Sequence, residues 1–143
     1  MYLFLAVACF VLAHWADGKI TKLWWIPLGV GVIGSMLLYA SSASTTVQGW
    51  LDVPIGWLGD IVSGVFGEQL PTMVVYGVLA AGLLLITIAD LVKDHSYNSR
   101  ARMALVGAPI LAHGAGGWVG DTIAAIHGSG AEAAMSLVNG MFG

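Results

Sequence analysis

Two histidines in the last third of the chain are the residues best suited to chemistry. His113 and His127, with Asp121 between them, are residue types that ligate metal ions. The segment that carries them is rich in glycine and lacks the i, i+4 spacing that fixes two ligands on one helical face. We therefore predict neither a metal site nor a bound cofactor.

His113 lies within an apolar stretch, four residues after Pro109. A polar side chain at membrane depth is costly unless it is paired or reached by water. His113 could line a pore, carry a proton or ligate a cofactor, or it could donate a hydrogen bond between helices. We favour the hydrogen bond, because neutral imidazole is tolerated in an apolar setting when it is bonded.

Enzyme motifs are missing from the sequence. It has no glycine-rich phosphate loop with its lysine, no nucleophile elbow, no HExxH pair and only one cysteine, Cys9. It also lacks the basic, aromatic surface that reads nucleic-acid sequence. The chain is predicted to be neither an enzyme nor a sequence-specific nucleic-acid-binding protein.

The composition indicates a membrane protein. Hydrophobic residues make up 58% of the 143 residues, charged residues 9%, and the mean hydropathy is +0.87. Soluble domains carry about 25% charged residues, and a soluble surface built from this sequence would aggregate. The lipid bilayer is therefore the first expected partner.

Four segments without Asp, Glu, Lys or Arg are predicted to span the bilayer as helices. They are residues 1–16, 24–40, 72–89 and 103–119. Each is slightly shorter than the roughly 20 residues that cross a hydrocarbon core of about 30 Å. Snorkelling side chains and a thinner bilayer would make up the difference.

The five basic residues fall into two short loops between these segments. They are Lys19, Lys22, Lys93, Arg100 and Arg102. Because loops rich in Lys and Arg stay in the cytoplasm, both loops are predicted to be cytoplasmic and both termini non-cytoplasmic. The expected location is the cytoplasmic membrane of a prokaryote. Lys19, the following apolar run and Ala43 also fit a signal peptide, so cleavage after Ala43 is an open alternative.

Two further segments have one apolar helical face. We predict short amphipathic helices at the outer interface over 53–66, starting near Asp52 and Pro54, and over 129–142, with Ser129 and Glu132 at capping-box spacing. Packing on the bundle as ordinary caps is the alternative. The predicted interfacial anchors are Trp24, Trp25, Trp50, Trp57 and Trp118.

The predicted fold is an all-α integral membrane protein with four transmembrane helices arranged as two hairpins. Residues 1–67 and 68–143 each contain one hairpin followed by an amphipathic helix. The endings VSGVFG (62–67) and VNGMFG (138–143) are similar. This similarity favours either an internal duplication or convergence on a common helical ending.

Small residues mark the expected helix contacts, because they let backbones approach closely. The candidates are Gly31, Ser35, Gly77, Ala81, Gly114 and Gly117. Four short helices give one chain a thin core. Copies of the chain, and other membrane subunits, are therefore expected partners.

In architecture, residues 72–120 resemble the pilin subunits of type IV secretion and conjugation systems, which are apolar hairpins with a short basic turn. Here KDHSYNSRAR, residues 93–102, would be that turn. The small size and glycine-rich helices are also similar to those of phage holins. We expect a non-enzymatic, self-associating subunit of a pore, channel or filament-like translocation assembly. The alternatives are an accessory subunit of a larger membrane complex and a holin-type lysis protein.

Overall fold

The computed structural model describes residues 1–20, 22–94 and 97–142, and within them the chain is helical, as predicted, with no strand. The six helices are α1 (Tyr2–Lys19), α2 (Trp25–Tyr39), α3 (Ser42–Phe66), α4 (Thr72–Asp94), α5 (Ser99–Gly114) and α6 (Gly117–Phe142).

Among the helices that the structure describes, two are long and apolar enough to cross a membrane. They are α1, over Tyr2–Lys19, and α4, over Thr72–Ala89, and they correspond to the predicted spans 1–16 and 72–89. A third crossing is available if α2 and α3, which meet at an angle of 74°, are counted as one bent span. The helices therefore support the assignment to a membrane.

The helix predicted over 53–66 begins earlier, at Ser42. Ser41 has the extended backbone of a helix N-cap, with φ −88° and ψ 146°, and its carbonyl oxygen accepts a hydrogen bond from the Ser44 amide. Pro54 lies inside α3 rather than at its start. The helix ends at Phe66, and the capping residue Gly67 has a left-handed φ of 74°, a conformation that glycine adopts without steric cost.

The predicted span 103–119 is not one helix. α5 ends at Gly114, and Ala115 adopts an extended backbone with φ −72° and ψ 144°. Gly116 then donates its backbone N–H to the Met73 carbonyl of α4 at 3.1 Å. A Cβ atom at Gly116 would lie 2.6 Å from the Met73 sulfur, so this close approach requires glycine.

The C-terminal helix also starts earlier than predicted. Because α6 begins at Gly117, Ser129 and Glu132 lie within the helix and do not form its N-terminal cap. The residues predicted as a separate helix, 129–142, are the second half of α6.

Alanine dominates the interior. Of the 16 buried hydrophobic residues among those described, ten are alanines: Ala6, Ala13, Ala16, Ala80, Ala101, Ala104, Ala108, Ala112, Ala131 and Ala134. Large side chains instead point outward, with Phe4 76% exposed and Val78 65% exposed. Small residues inside and large apolar residues outside are the arrangement expected when lipid surrounds the helices.

α6 crosses the other helices instead of running beside one of them. Ile123 packs against α4 and α5 at Ala80 and Ala112. Further along, Gly130 lies against Met36 of α2. Ala134 then packs in a cluster that includes Ala6 of α1. α6 therefore packs against α4, α5 and α2 in succession.

Candidate functional site

Tyr39, Ser44, His113 and His127 form a polar cluster where α2, α3, α5 and α6 meet, and we call it the Tyr39 cluster. The rings of Tyr39 and His113 are stacked, with centroids 4.2 Å apart and planes 4° from parallel. The His127 ring lies 5.6 Å from the Tyr39 ring in a tilted arrangement. The cluster thus joins the end of α2 to three later helices.

Hydrogen bonding shows which ring nitrogen of His113 acts as a donor. Its Nε2 atom lies 3.0 Å from the Tyr39 carbonyl oxygen and 2.9 Å from the Ser44 Oγ. A carbonyl oxygen only accepts, so Nε2 carries the proton. Ser44 Oγ in turn donates to the Ser41 carbonyl oxygen at 2.8 Å. His113 therefore connects α5 by hydrogen bonds to the bend between α2 and α3.

His127 is the more buried of the two histidines, with 6% of its surface exposed. Its Nδ1 donates to the Ile123 carbonyl oxygen one turn earlier at 3.0 Å. Burial lowers the pKa of His127, and this hydrogen bond opposes that effect only partly. The structure favours a neutral imidazole at this position.

The position of His113 differs from the one expected from the sequence. It lies one residue before the end of α5 rather than in the middle of a span, because the helix stops at Gly114. Its contacts have the geometry of a hydrogen-bond donor between helices. Among the described residues, no three His, Cys, Asp or Glu side chains are grouped as metal ligands.

A second polar cluster lies at the other end of α5 and consists of His14, Asp17, Tyr97 and Arg102, here called the Arg102 cluster. Arg102 Nη2 donates to Asp17 Oδ2 at 2.5 Å and to the Tyr97 carbonyl oxygen at 3.3 Å. The guanidinium carbon lies 5.2 Å from the centre of the Tyr97 ring. These contacts join the end of α1 to the start of α5.

His14 takes part in this cluster as an acceptor. Arg102 Nη1 lies 2.8 Å from His14 Nδ1, and a guanidinium group can only donate. The Nδ1 atom is therefore unprotonated in this arrangement. Beneath the guanidinium, burial raises the pKa of the Tyr97 phenol.

The five basic residues differ in their exposure and contacts. Arg102 lies inside α5 and is engaged by α1, whereas Lys19, Lys22, Lys93 and Arg100 are exposed. The Arg102–Asp17 ion pair places the end of α1 and the start of α5 at one end of the molecule, which we call the basic end. The Tyr39 cluster lies at the opposite end.

Sequence reasoning missed a third set of polar contacts. The Tyr76 hydroxyl of α4 donates to Asp52 Oδ1 at 2.8 Å and lies 3.0 Å from the Gln48 carbonyl oxygen. Gln48 Nε2 also donates to Asp52 Oδ1 at 2.8 Å. The available signal was a lone tyrosine in an apolar span, which needs a partner for its hydroxyl.

The small residues predicted to form helix contacts lie mainly inside the structure. Gly31, Ser35 and Gly77 are buried, and Ala81 packs against the Ala80 cluster. Gly114 lies directly against the Tyr76 ring. The surroundings of Gly117 are outside the part of the chain that the structure describes.

The predicted aromatic anchors lie on three helices and one connection. Trp25, Trp50, Trp57 and Trp118 are between 59% and 80% exposed, and Trp24, just before α2, is half-buried. Exposed indoles suit the membrane interface, where an apolar ring and a polar N–H are both satisfied.

Comparisons with protein-family models, with curated proteins and with solved structures find no significant match.

Proposed function

We propose that the protein is a non-enzymatic membrane subunit whose copies associate into a pore, channel or filament-like translocation assembly. In this proposal α1 with α2, and α4 with α5, form two hairpins that cross the cytoplasmic membrane of a prokaryote. The basic end faces the cytoplasm, and both termini lie outside.

The charge distribution supports this topology. The ion pair between Arg102 and Asp17 gathers the two lysine- and arginine-containing connections at one end. Loops rich in Lys and Arg are retained in the cytoplasm. The opposite end contains the carboxylates of α3 and α6, including Asp52, Asp60 and Glu132.

Helix length sets a condition on the surrounding bilayer. α2 and α5 have 15 and 16 residues, which correspond to about 22–24 Å of helix. A typical hydrocarbon core is about 30 Å thick. The proposal therefore requires the bilayer to thin beside α2 and α5, while Lys19 and Lys22 reach outward to the headgroups.

The observation that carries the proposed self-association is the exposed apolar stripe of α3. Its members recur every three or four residues and are 45% to 79% exposed: Trp50, Val53, Trp57, Ile61 and Val65. Beside it, a Cβ atom at Gly49, Gly56 or Gly64 would meet no atom within 4 Å. Large side chains next to open glycine positions allow two copies of α3 to interlock closely.

Passage of a solute or polymer would occur between copies rather than through one chain. Within the described residues, the helix contacts are filled by alanines and by the Tyr76 and Tyr97 rings, which are 1% and 2% exposed. A continuous lumen would therefore need the surfaces of several copies.

Mass measurement in lipid nanodiscs tests self-association directly. We expect an oligomer for the native chain and a shift toward monomer when Gly56→Leu fills the open position on α3. Gly82→Leu on α4 is the matched control, because it also has no atom within 4 Å. A native chain that is monomeric at every protein-to-lipid ratio would overturn the proposal.

Ion flux across vesicles that contain the protein distinguishes a pore from an accessory subunit. An oligomer that conducts ions would support a pore, and the Gly56→Leu variant should then conduct less. An oligomer without flux would instead indicate an accessory subunit that stabilises a larger membrane complex.

A further inference from the structure

Three exposed lysines, Lys19, Lys22 and Lys93, lie at the basic end of the molecule. Among the described residues, Lys19, Lys22 and Lys93 form no ion pair. Asp17, which is close to Lys19 in sequence, is instead bonded to Arg102. These lysines are therefore available to an external anion.

The Arg102 cluster brings these charges together. Lys19 follows Asp17 by two residues, and Arg100 precedes Arg102 by two, so each lies within about one helical turn of the ion pair. α4 packs against α5, which places its last turn, with Lys93, at the same end. We call Lys19, Lys22 and Lys93 the basic collar.

The collar borders an apolar surface. On α1, Val11 and Trp15 are each 61% exposed, and on α5 Met103 is 72% exposed. Trp25, at the start of α2, is 59% exposed. A change from exposed apolar side chains to exposed lysines over one or two turns marks the level of the lipid headgroups.

We propose that the basic collar binds the phosphates of anionic phospholipids, so that the protein concentrates such lipids around its basic end. Anionic headgroups supply counter-charge to these lysines, at the depth where the lysine ammonium groups emerge. Lysine suits this role because its ammonium group is a flexible point charge that needs no fixed geometry. The inference uses the membrane location and does not depend on self-association.

Spin-labelled lipids test this selectivity. The full-length chain is reconstituted in phosphatidylcholine vesicles with trace spin-labelled phosphatidylglycerol or phosphatidylcholine, and the motionally restricted fraction is measured for each. Both leaflets have the same composition, so the orientation of insertion does not affect the result. We expect phosphatidylglycerol to be preferred by about five-fold for each lysine that contacts a headgroup.

Variants at the collar identify the residues responsible. The combined Lys19→Gln, Lys22→Gln and Lys93→Gln variant should bring the preference toward equality, whereas the same three positions changed to Arg should retain it. Glu132→Gln, on α6, is the control and should leave it unchanged. Circular dichroism of each variant checks that the helices are intact.

Salt provides a second measurement that does not rely on variants. Raising sodium chloride to about 1 M shortens the screening length to about 3 Å, so the preference should fall. Absence of a preference in the native chain, or a preference that survives in the glutamine variant, would overturn the proposal. If sodium phosphate lowers the preference for phosphatidylglycerol more than sodium chloride does at equal ionic strength, the collar is instead a site for free phosphate.

Discussion

Replacing Gly114 with alanine tests whether the contact between α5 and α4 is as close as the structure indicates. A Cβ atom at this position would lie 2.6 Å from two atoms of the Tyr76 ring. Favourable carbon–carbon contacts lie at about 3.5–4.0 Å, so the ring or the helix must move by about an ångström.

The Tyr76 ring has little freedom to move. It is 1% exposed, and its hydroxyl is bonded to Asp52 Oδ1 at 2.8 Å. Overpacking of this kind costs about 1–3 kcal/mol, whereas alanine gains at most about 1 kcal/mol over glycine in helix propensity. We therefore expect Gly114→Ala to lower the free energy of unfolding by about 1–2 kcal/mol.

Two other glycines provide the comparison. At Gly82 a Cβ atom meets nothing within 4 Å, so Gly82→Ala should be neutral or stabilise the helix by up to about 1 kcal/mol. At Gly31 it meets the Tyr97 hydroxyl at 2.9 Å and Leu105 Cδ1 at 3.0 Å, a smaller overlap than the 2.6 Å at Gly114. Gly31→Ala should therefore cost less than Gly114→Ala.

The assay is reversible unfolding in mixed micelles, followed by far-ultraviolet circular dichroism. The expected order of stability is Gly82→Ala, then Gly31→Ala, then Gly114→Ala. The second change Tyr76→Leu should relieve part of the Gly114→Ala loss by removing the ring. Equal stability of the Gly114 and Gly82 variants would refute the close contact.

Three further outcomes follow from the polar clusters. Arg102→Met and Asp17→Asn should show a coupling of about 1 kcal/mol in a double-mutant cycle of unfolding, since the pair is about one-third exposed; additive effects would mean that the ion pair contributes nothing. Tyr76→Phe should cost about 1–2 kcal/mol in the same assay, because the Asp52 carboxylate loses its buried donor; an unchanged stability would contradict that bond. His127 has a pKa in the folded state below its unfolded value of about 6.5, so the stability it contributes is present above that value and is lost as the pH falls below it. In the His127→Gln variant, the free energy of unfolding should no longer fall in this pH range. If the native chain and the variant show the same dependence of unfolding free energy on pH, the assignment to His127 is refuted.

Two of the four predicted spans, those of α1 and α4, were the most predictable part of the fold. α4 carries 18 consecutive residues with a mean hydropathy of 2.3, a signal that depends only on local composition. The break after Gly114 was harder to predict, because the residues on both sides are apolar. It depends on the Met73 carbonyl of α4, which offers Gly116 a hydrogen-bond acceptor outside the helix.

The partners of the polar side chains were also hard to predict, because they are distant in sequence. His113 was identified because an ionisable residue in an apolar stretch needs a partner, but its partners Tyr39 and Ser44 are more than 60 residues away in sequence. Arg102 was assigned to a cytoplasmic turn from its charge alone. The ion pair with Asp17, 85 residues away, depends on how α1 packs against α5.

The course of α6 has a consequence for the order of folding. Its buried face packs against α4 and α5 at Ile123 and against α2 at Gly130. That composite surface exists only once the earlier helices have come together, so α6 can dock only as a late step. Protection of the α6 amides from hydrogen exchange would therefore report assembly of the whole bundle.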